Sequence, residues 1–249
     1  MSREPSRSEE PQNVAAFVTT HWSVVLSAGE GDSPDADQAL ARLCRIYWHP
    51  LYAYVRRQGH NPDEAQDLTQ EFFARLLAKN YLRSLDRRKG KFRSFLLAAM
   101  EHFLAKEWRD ANRLKRGGGK TILSLDDQDA ESRYRIEVAE TMTAERIYER
   151  RWAFTLLEQA LHGLREELKQ AGKAALFEAL QGFLSGEKPD HTYSEVGARL
   201  NMTEGAVKVA VHRLRKRYGE LLRLEIANTV SSPDEIDGEL RYLLAVVSR

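Results

Sequence analysis

Apolar residues recur three and four positions apart in segment after segment of this chain, which is the period of helices with one buried face. Residues 1–13 are the exception: polar, with Pro5 and Pro11 and no periodicity, they read as disordered. Val14 to Ala28 gathers Phe17, Val18, Trp22, Val24, Val25 and Leu26 and reads as a short helix, followed by a loop over 29–34. Asp35 or Asp37 starts a helix to Gln58 with Leu40, Leu43, Ile46, Tyr47, Leu51, Tyr54 and Val55 at helical spacing, and Pro50 inside it predicts a kink or a split. After the turn 59–62, Pro62 suits a first helical position, with Asp63 and Glu64 complementing the dipole. That helix runs to about Lys79. Leu68, Phe72 and Leu76 form its inner row, and Asp63, Glu64, Asp67, Gln70 and Glu71 its outer face. A basic loop over 83–93 leads into a long helix from Phe92, whose core face is Phe92, Leu96, Leu97, Met100 and Leu104. Three glycines, 117–119, end this first block.

Helical periodicity resumes at Ala144. Ile147, Trp152, Phe154, Leu156, Leu157, Leu161 and Leu164 mark one helix to about Gln170, and Ala174 to Leu184 a second. Near the C-terminus, Ser232, Pro233 and Glu235 form a capped helix start. Ile236, Leu240, Leu243, Leu244 and Val247 then give an amphipathic final helix, which is expected to pack on the second block. A regulatory handle is the other reading of it.

The most specific local pattern lies at 192–217. Thr192 and Glu195 have the spacing of a capping box, so a helix begins at Tyr193. Val196 and Leu200 give it an apolar stripe, and Gly197 between them lets a second helix cross closely. Asn201 suits a left-handed backbone at the turn, and Thr203 can cap the next helix. Val207, Val211 and Leu214 line that helix's buried face. Two helices joined this way place the second in the major groove of DNA, with base edges near its start and phosphates further along. An amphipathic surface helix would explain the charges alone, but not the caps, the small residue and the Asn turn together.

Charge adds to this picture through its segregation, because the sum is only +1. From Glu204 to Arg223, six Lys or Arg stand against two Glu, a net of +4, and 83–120 is also basic. Asp126 to Glu149 has eight acidic residues against three Arg, a net of −5. Two basic faces with an acidic connector suit a protein that meets nucleic acid at two places. Cys44, the single cysteine, reads as a buried reduced thiol and excludes an internal disulfide. The polar N-terminus has no secretory apolar region, and no run is long enough to cross a bilayer, so a cytoplasmic location is expected. The glycines at 117–119 have no following Gly-Lys-Ser/Thr and do not form a phosphate loop, and neither HExxH nor a Gly-x-Ser-x-Gly elbow occurs. Nothing in the sequence asks for catalysis, a metal or a cofactor.

The run YSEVGARLNMTEGAVKVAVHRLRKRYGELL resembles the promoter −35 reading domain of bacterial RNA polymerase sigma factors of the small extracytoplasmic-function class. PDEAQDLTQEFFARL is similar to the helix by which that family grips core polymerase, with Asp67, Leu68, Gln70, Glu71, Phe72, Arg75 and Leu76 matching and Gln66 standing where an acid is usual. FRSFLLAAMEHFLAKEWRDANRLKR resembles the next helix, which faces the −10 element; Phe95 stands where many members have Trp. The resemblance implies an all-α fold: an N-terminal arm (1–35), a polymerase-binding and −10 domain (36–116), an acidic linker (117–143), a helix-turn-helix domain (144–224) and a C-terminal extension (225–249).

It also implies sites. Asp63, Glu64, Asp67, Gln70, Glu71 and Arg75 would bind core polymerase. Arg93, Lys106, Trp108, Arg109, Arg113, Lys115 and Arg116 would meet the single-stranded −10 element, where backbone charge and base stacking act together. Thr203, Glu204, Lys208, His212, Arg213, Arg215, Lys216 and Arg217 would meet the duplex −35 element. Thr69, taken to lie within the acidic face, is a candidate for phosphorylation that would add negative charge there. The partners implied are core RNA polymerase and promoter DNA, with an anti-sigma factor or a Ser/Thr kinase as regulatory candidates and no membrane. Two other readings stay open: a stand-alone regulator binding a duplex operator, and a helical signalling adaptor that binds protein only.

Overall fold

A computed structural model describes residues 34–78, 91–114, 142–184, 189, 191–230 and 232–248. The expected helix at 14–28, the basic loop before Lys91, Lys115, Arg116, the glycines 117–119 and most of the acidic connector lie outside these residues. The described residues are all-α, with eight helices and no strand: α1 (Pro34–Arg57), α2 (Pro62–Ala78), α3 (Phe92–Leu114), α4 (Ala144–Gln170), α5 (Ala174–Leu180), α6 (Tyr193–Leu200), α7 (Glu204–Ala227) and α8 (Ile236–Val247). Single 3-10 turns follow α5 and precede α8. None of the described helices is long and apolar enough to cross a membrane.

Local chemistry explains most of the boundaries. Asn61 and Glu64 cap each other at the start of α2: the Glu64 N–H donates to Asn61 Oδ1 at 2.9 Å, and the Asn61 N–H to Glu64 Oε2 at 3.3 Å. Thr143 caps α4, accepting from the Arg146 N–H at 3.3 Å. Gly172, with φ +70°, takes the left-handed turn that lets α5 fold back. Pro50 does not split α1, which runs unbroken from Pro34 to Arg57. A helix-interior proline costs about 3 kcal/mol. Here Ile46, Tyr47, Leu51, Tyr54 and Val55 on both sides of it are buried in one core, and their burial outweighs that cost.

Two apolar cores form. The larger joins Tyr47 and Leu51 of α1, Phe72 of α2, Phe92, Leu96 and Met100 of α3, Trp152 and Leu156 of α4, Leu222 and Ile226 of α7, and Leu243 of α8. The smaller joins Leu164, Phe177, Leu180, Phe183, Val196, Val207, Val211 and Leu214. Helices α4 and α7 therefore cross both cores. Trp152 is fully buried, and its indole N–H donates to the Tyr47 hydroxyl at 3.2 Å, a polar tie between α4 and α1. Helix α8 packs on α4 and α7, the expected neighbours, and also reaches back to the start of α3. Burial pushes the Cys44 thiol up to about 12, so it stays protonated and unreactive.

Candidate nucleic-acid and polymerase interfaces

The helix-turn-helix is built as its sequence predicts. The Thr192 hydroxyl accepts from the Glu195 N–H at 3.2 Å, and the Glu195 carboxylate accepts from the Thr192 N–H at 2.7 Å. That backbone N–H, and then the Thr192 hydroxyl, hold the Glu195 carboxyl below its ordinary value. Asn201 has φ 53° and ψ 43°, the left-handed turn, and the Met202 N–H closes it on the Gly197 carbonyl at 2.9 Å. A methyl group on Gly197 would lie 2.7 Å from the Met202 carbonyl oxygen, so only glycine permits this approach. The Thr203 hydroxyl accepts from the Ala206 N–H at 3.2 Å and starts α7.

At about 100° per residue, Gly205, Lys208, Val209, His212, Arg213 and Lys216 fall within one stripe of α7 about 140° wide. It lies opposite the buried Val207, Val211 and Leu214, and all six of its residues are exposed. Lys208 pairs with Glu204 at 2.6 Å, one turn back, and this bond raises its ammonium above its ordinary value. Two of the predicted DNA-binding residues have partners on the platform. Arg215 donates to the Phe183 carbonyl at 3.0 and 2.8 Å. Arg217 forks onto Glu167 at 2.8 and 2.7 Å and also reaches Glu220 at 2.8 Å. The Arg217 bond holds the Glu167 carboxyl below its ordinary value.

On α2, Asp63, Glu64 and Asp67 are exposed, with Glu71 half-buried in the same row and Gln70 beside it. Arg75 is turned toward α3: it bonds Glu71 at 2.6 Å and Glu107 at 2.6 Å, and its guanidinium lies 5.0 Å from the centre of the Phe103 ring. Partial burial works against its charge, but the two carboxylates outweigh this and raise its pKa. Thr69 does not lie on the acidic face. It is 0% exposed, and its hydroxyl donates to the Ala65 carbonyl at 2.7 Å. Its helical phase places it with Ala65, Phe72 and Leu76, so a kinase has no access to it without unfolding of α2. The expectation of phosphorylation at Thr69 is thereby corrected, a result legible from the phase alone.

On α3, Lys106 and Arg109 are exposed, and Trp108 is 70% exposed, more than any other large apolar side chain described. Arg113 belongs to the last turn of the helix. A cavity of about 320 Å³ opens between α2 and α3, lined by Phe72, Leu76, Phe95, Ala99 and Phe103 together with Lys106. Arg93 departs from its predicted role as a surface DNA contact. Only 8% exposed, it bonds Glu239 at 2.5 Å and Glu149 at 3.3 Å, and its guanidinium lies 4.1 Å from the centre of the Tyr242 ring. Burial opposes its charge, but Glu239 and its neighbours raise its pKa overall. These partners stand 56 and 146 positions away, and no sequence signal ties them to Arg93.

No curated protein and no solved structure matches the chain. Residues 43–114 match the family model for Sigma-70 region 2, a span that begins within α1, contains all of α2 and closes at the last residue of α3. The acidic row and the exposed aromatic-basic helix thus lie in the matched segment, and this match supports a sigma-70 family factor that binds RNA polymerase and takes part in promoter recognition.

Proposed function

We propose that the chain is a sigma factor of the small extracytoplasmic-function class, which binds core RNA polymerase and directs promoter recognition and strand opening. The observation that carries this reading is the Sigma-70 region 2 match over α1–α3, with a well-formed helix-turn-helix downstream in the same chain. In this proposal residues 36–116 and 144–224 are the two functional parts, and the polymerase performs the chemistry. Asp63, Glu64, Asp67 and Glu71 are the docking row for a basic surface of the core enzyme. Lys106, Trp108 and Arg109, with Arg113 and the basic residues after it, meet the opened −10 strand by stacking and phosphate contact. On α7, Thr203, Glu204 and Lys208 lie nearest the base edges of the −35 element, and His212, Arg213 and Lys216 meet its phosphates.

A pull-down with purified bacterial core polymerase tests the reading. The chain should retain core enzyme, and Asp67→Ala should weaken the complex about tenfold, or about 1.4 kcal/mol. The exposed position of Asp67 leaves folding intact. Failure to retain core enzyme even at low salt would overturn the proposal and favour a stand-alone regulator with a duplex operator.

A further inference from the structure

Helix α8 lies well outside the matched segment, yet it holds the start of that segment's last helix. Glu239 of α8 is 1% exposed. Its carboxylate receives Arg93 Nε on one oxygen, at 2.5 Å, and the Lys91 ammonium on the other. One turn on, the Tyr242 ring lies beneath both cations, with centroid distances of 4.1 Å to Arg93 and 5.6 Å to Lys91. Around this contact, Leu243 is fully buried and Ile236, Leu240, Val246 and Val247 pack on the larger core. Lys91 and Arg93 are the last two cations of the basic run 83–93 that leads into α3.

Two features of this contact suit a reversible closure better than a permanent one. A buried ion pair is commonly no more stabilising than apolar residues of the same volume, so its presence is weak grounds for a purely structural role. Nucleic-acid phosphate is also a direct competitor of a carboxylate for the same two cations. While α8 is docked, Arg93 faces protein and not solvent, and the half-buried Lys91 is paired with a buried carboxylate.

We propose that α8 is an autoinhibitory clasp: Glu239 and Tyr242 withhold Lys91 and Arg93 from nucleic-acid phosphate and pin the start of α3 against α4. Release of α8 frees the Lys91 ammonium from its carboxylate and loosens Arg93, which keeps Glu149 as a partner. The inference rests on the nucleic-acid reading of α3. It adds a regulatory role for the C-terminal extension and names the ligand class, polyanionic nucleic acid, that drives opening.

The test uses the full chain, the Glu239→Gln variant and a forked DNA probe, duplex with a single-stranded overhang. Hydrogen exchange reads the state of 236–247, and fluorescence anisotropy over a salt series reads binding. In the variant, exchange over 236–247 should speed up while α1–α4 stay protected. Affinity for the fork should rise, and the slope of log K against log salt should steepen by about 1 to 2, the effect of one or two added phosphate contacts. Adding Lys91→Ala to the variant should reverse most of the steepening. Binding and opening are reciprocal, so saturating fork DNA should also speed exchange over 236–247 in the unmodified chain. That arm stands even if the variant folds poorly. An opened α8 with unchanged affinity and slope would overturn the clasp, as would a variant in which α8 stays fully protected. Absence of DNA binding by the opened protein would overturn it too, and retention of core polymerase would then show whether the promoter reading falls with it.

Discussion

Helices α3 and α7 are both long and both carry a run of Lys and Arg, but they sort those charges differently. On α7 two cations near the surface are tied to the platform, Arg217 forked on Glu167 and Arg215 on the Phe183 carbonyl, while Lys208, His212, Arg213 and Lys216 share one exposed stripe. On α3 the inward residue, Arg93, is buried and tied to a helix that begins more than 140 residues later. A basic run is therefore a mixture of charges that hold the fold and charges that face a partner. Local phase sets the exposed stripe of α7 apart from Val207, Val211 and Leu214, but the partners of Arg215 and Arg217, like those of Arg93 on α3, are fixed by segments far away in the chain.

The largest expected effect tests whether the two regions are separate folding units. Because α4 and α7 cross both cores, Trp152→Ala should lower stability by about 3–5 kcal/mol. Calorimetry should show a single transition carrying both cores, and two resolved transitions would break the comparison by making the helix-turn-helix independent. A contrast between two glycines comes next. Gly197→Ala, whose methyl would meet backbone at 2.7 Å, should cost about 1–3 kcal/mol in denaturant unfolding. Gly219→Ala faces open space within α7 and should gain about 0.5–1 kcal/mol. Equal effects at both would mean that α6 and α7 do not cross as closely as described.

Smaller effects sharpen the division of charges on α7. Arg213→Ala and Lys216→Ala should each lower the salt slope of duplex DNA binding by about 1 and leave thermal stability unchanged. Arg217→Met should leave that slope unchanged and cost at most about 1 kcal/mol, as befits an exposed ion pair. The smallest effect concerns pH. Glu167 and Glu195 both have folded-state pKa values depressed from 4.5, by Arg217 and by Thr192 respectively. Their contribution is fully present above the ordinary carboxylate value and is lost as pH falls through the depressed one. Unfolding curves between pH 6 and pH 3 should therefore show stability declining only in the acid part, and less so in Thr192→Ala.

Much of the helix-turn-helix was legible in the sequence because its signals are local. The capping box at Thr192, the left-handed Asn201, the small Gly197 and the phase of Val207, Val211 and Leu214 each act within a few residues. The start of α4 at Ala144 was legible from the return of helical periodicity there. Pro50 shows the limit of a local rule, since packing on both sides of it keeps α1 whole. Thr69 could have been placed correctly from its spacing to Ala65, Phe72 and Leu76, but the acids around it suggested an exposed face. The roles of Arg93 and Arg217 needed carboxylates 146 and 50 positions away, and the union of α1 with α4 needed Tyr47 and Trp152 to meet across 105. Pairings of that range are fixed by tertiary packing and leave no mark on either segment.

Run-off transcription with purified bacterial core polymerase, the full chain and a genomic promoter library tests the central claim most directly. The account predicts initiation from a discrete set of promoters that is absent without the chain, weakened by Asp67→Ala and redirected or weakened by Lys208→Ala. No initiation from any promoter, together with tight core-independent binding to one duplex operator, would contradict it.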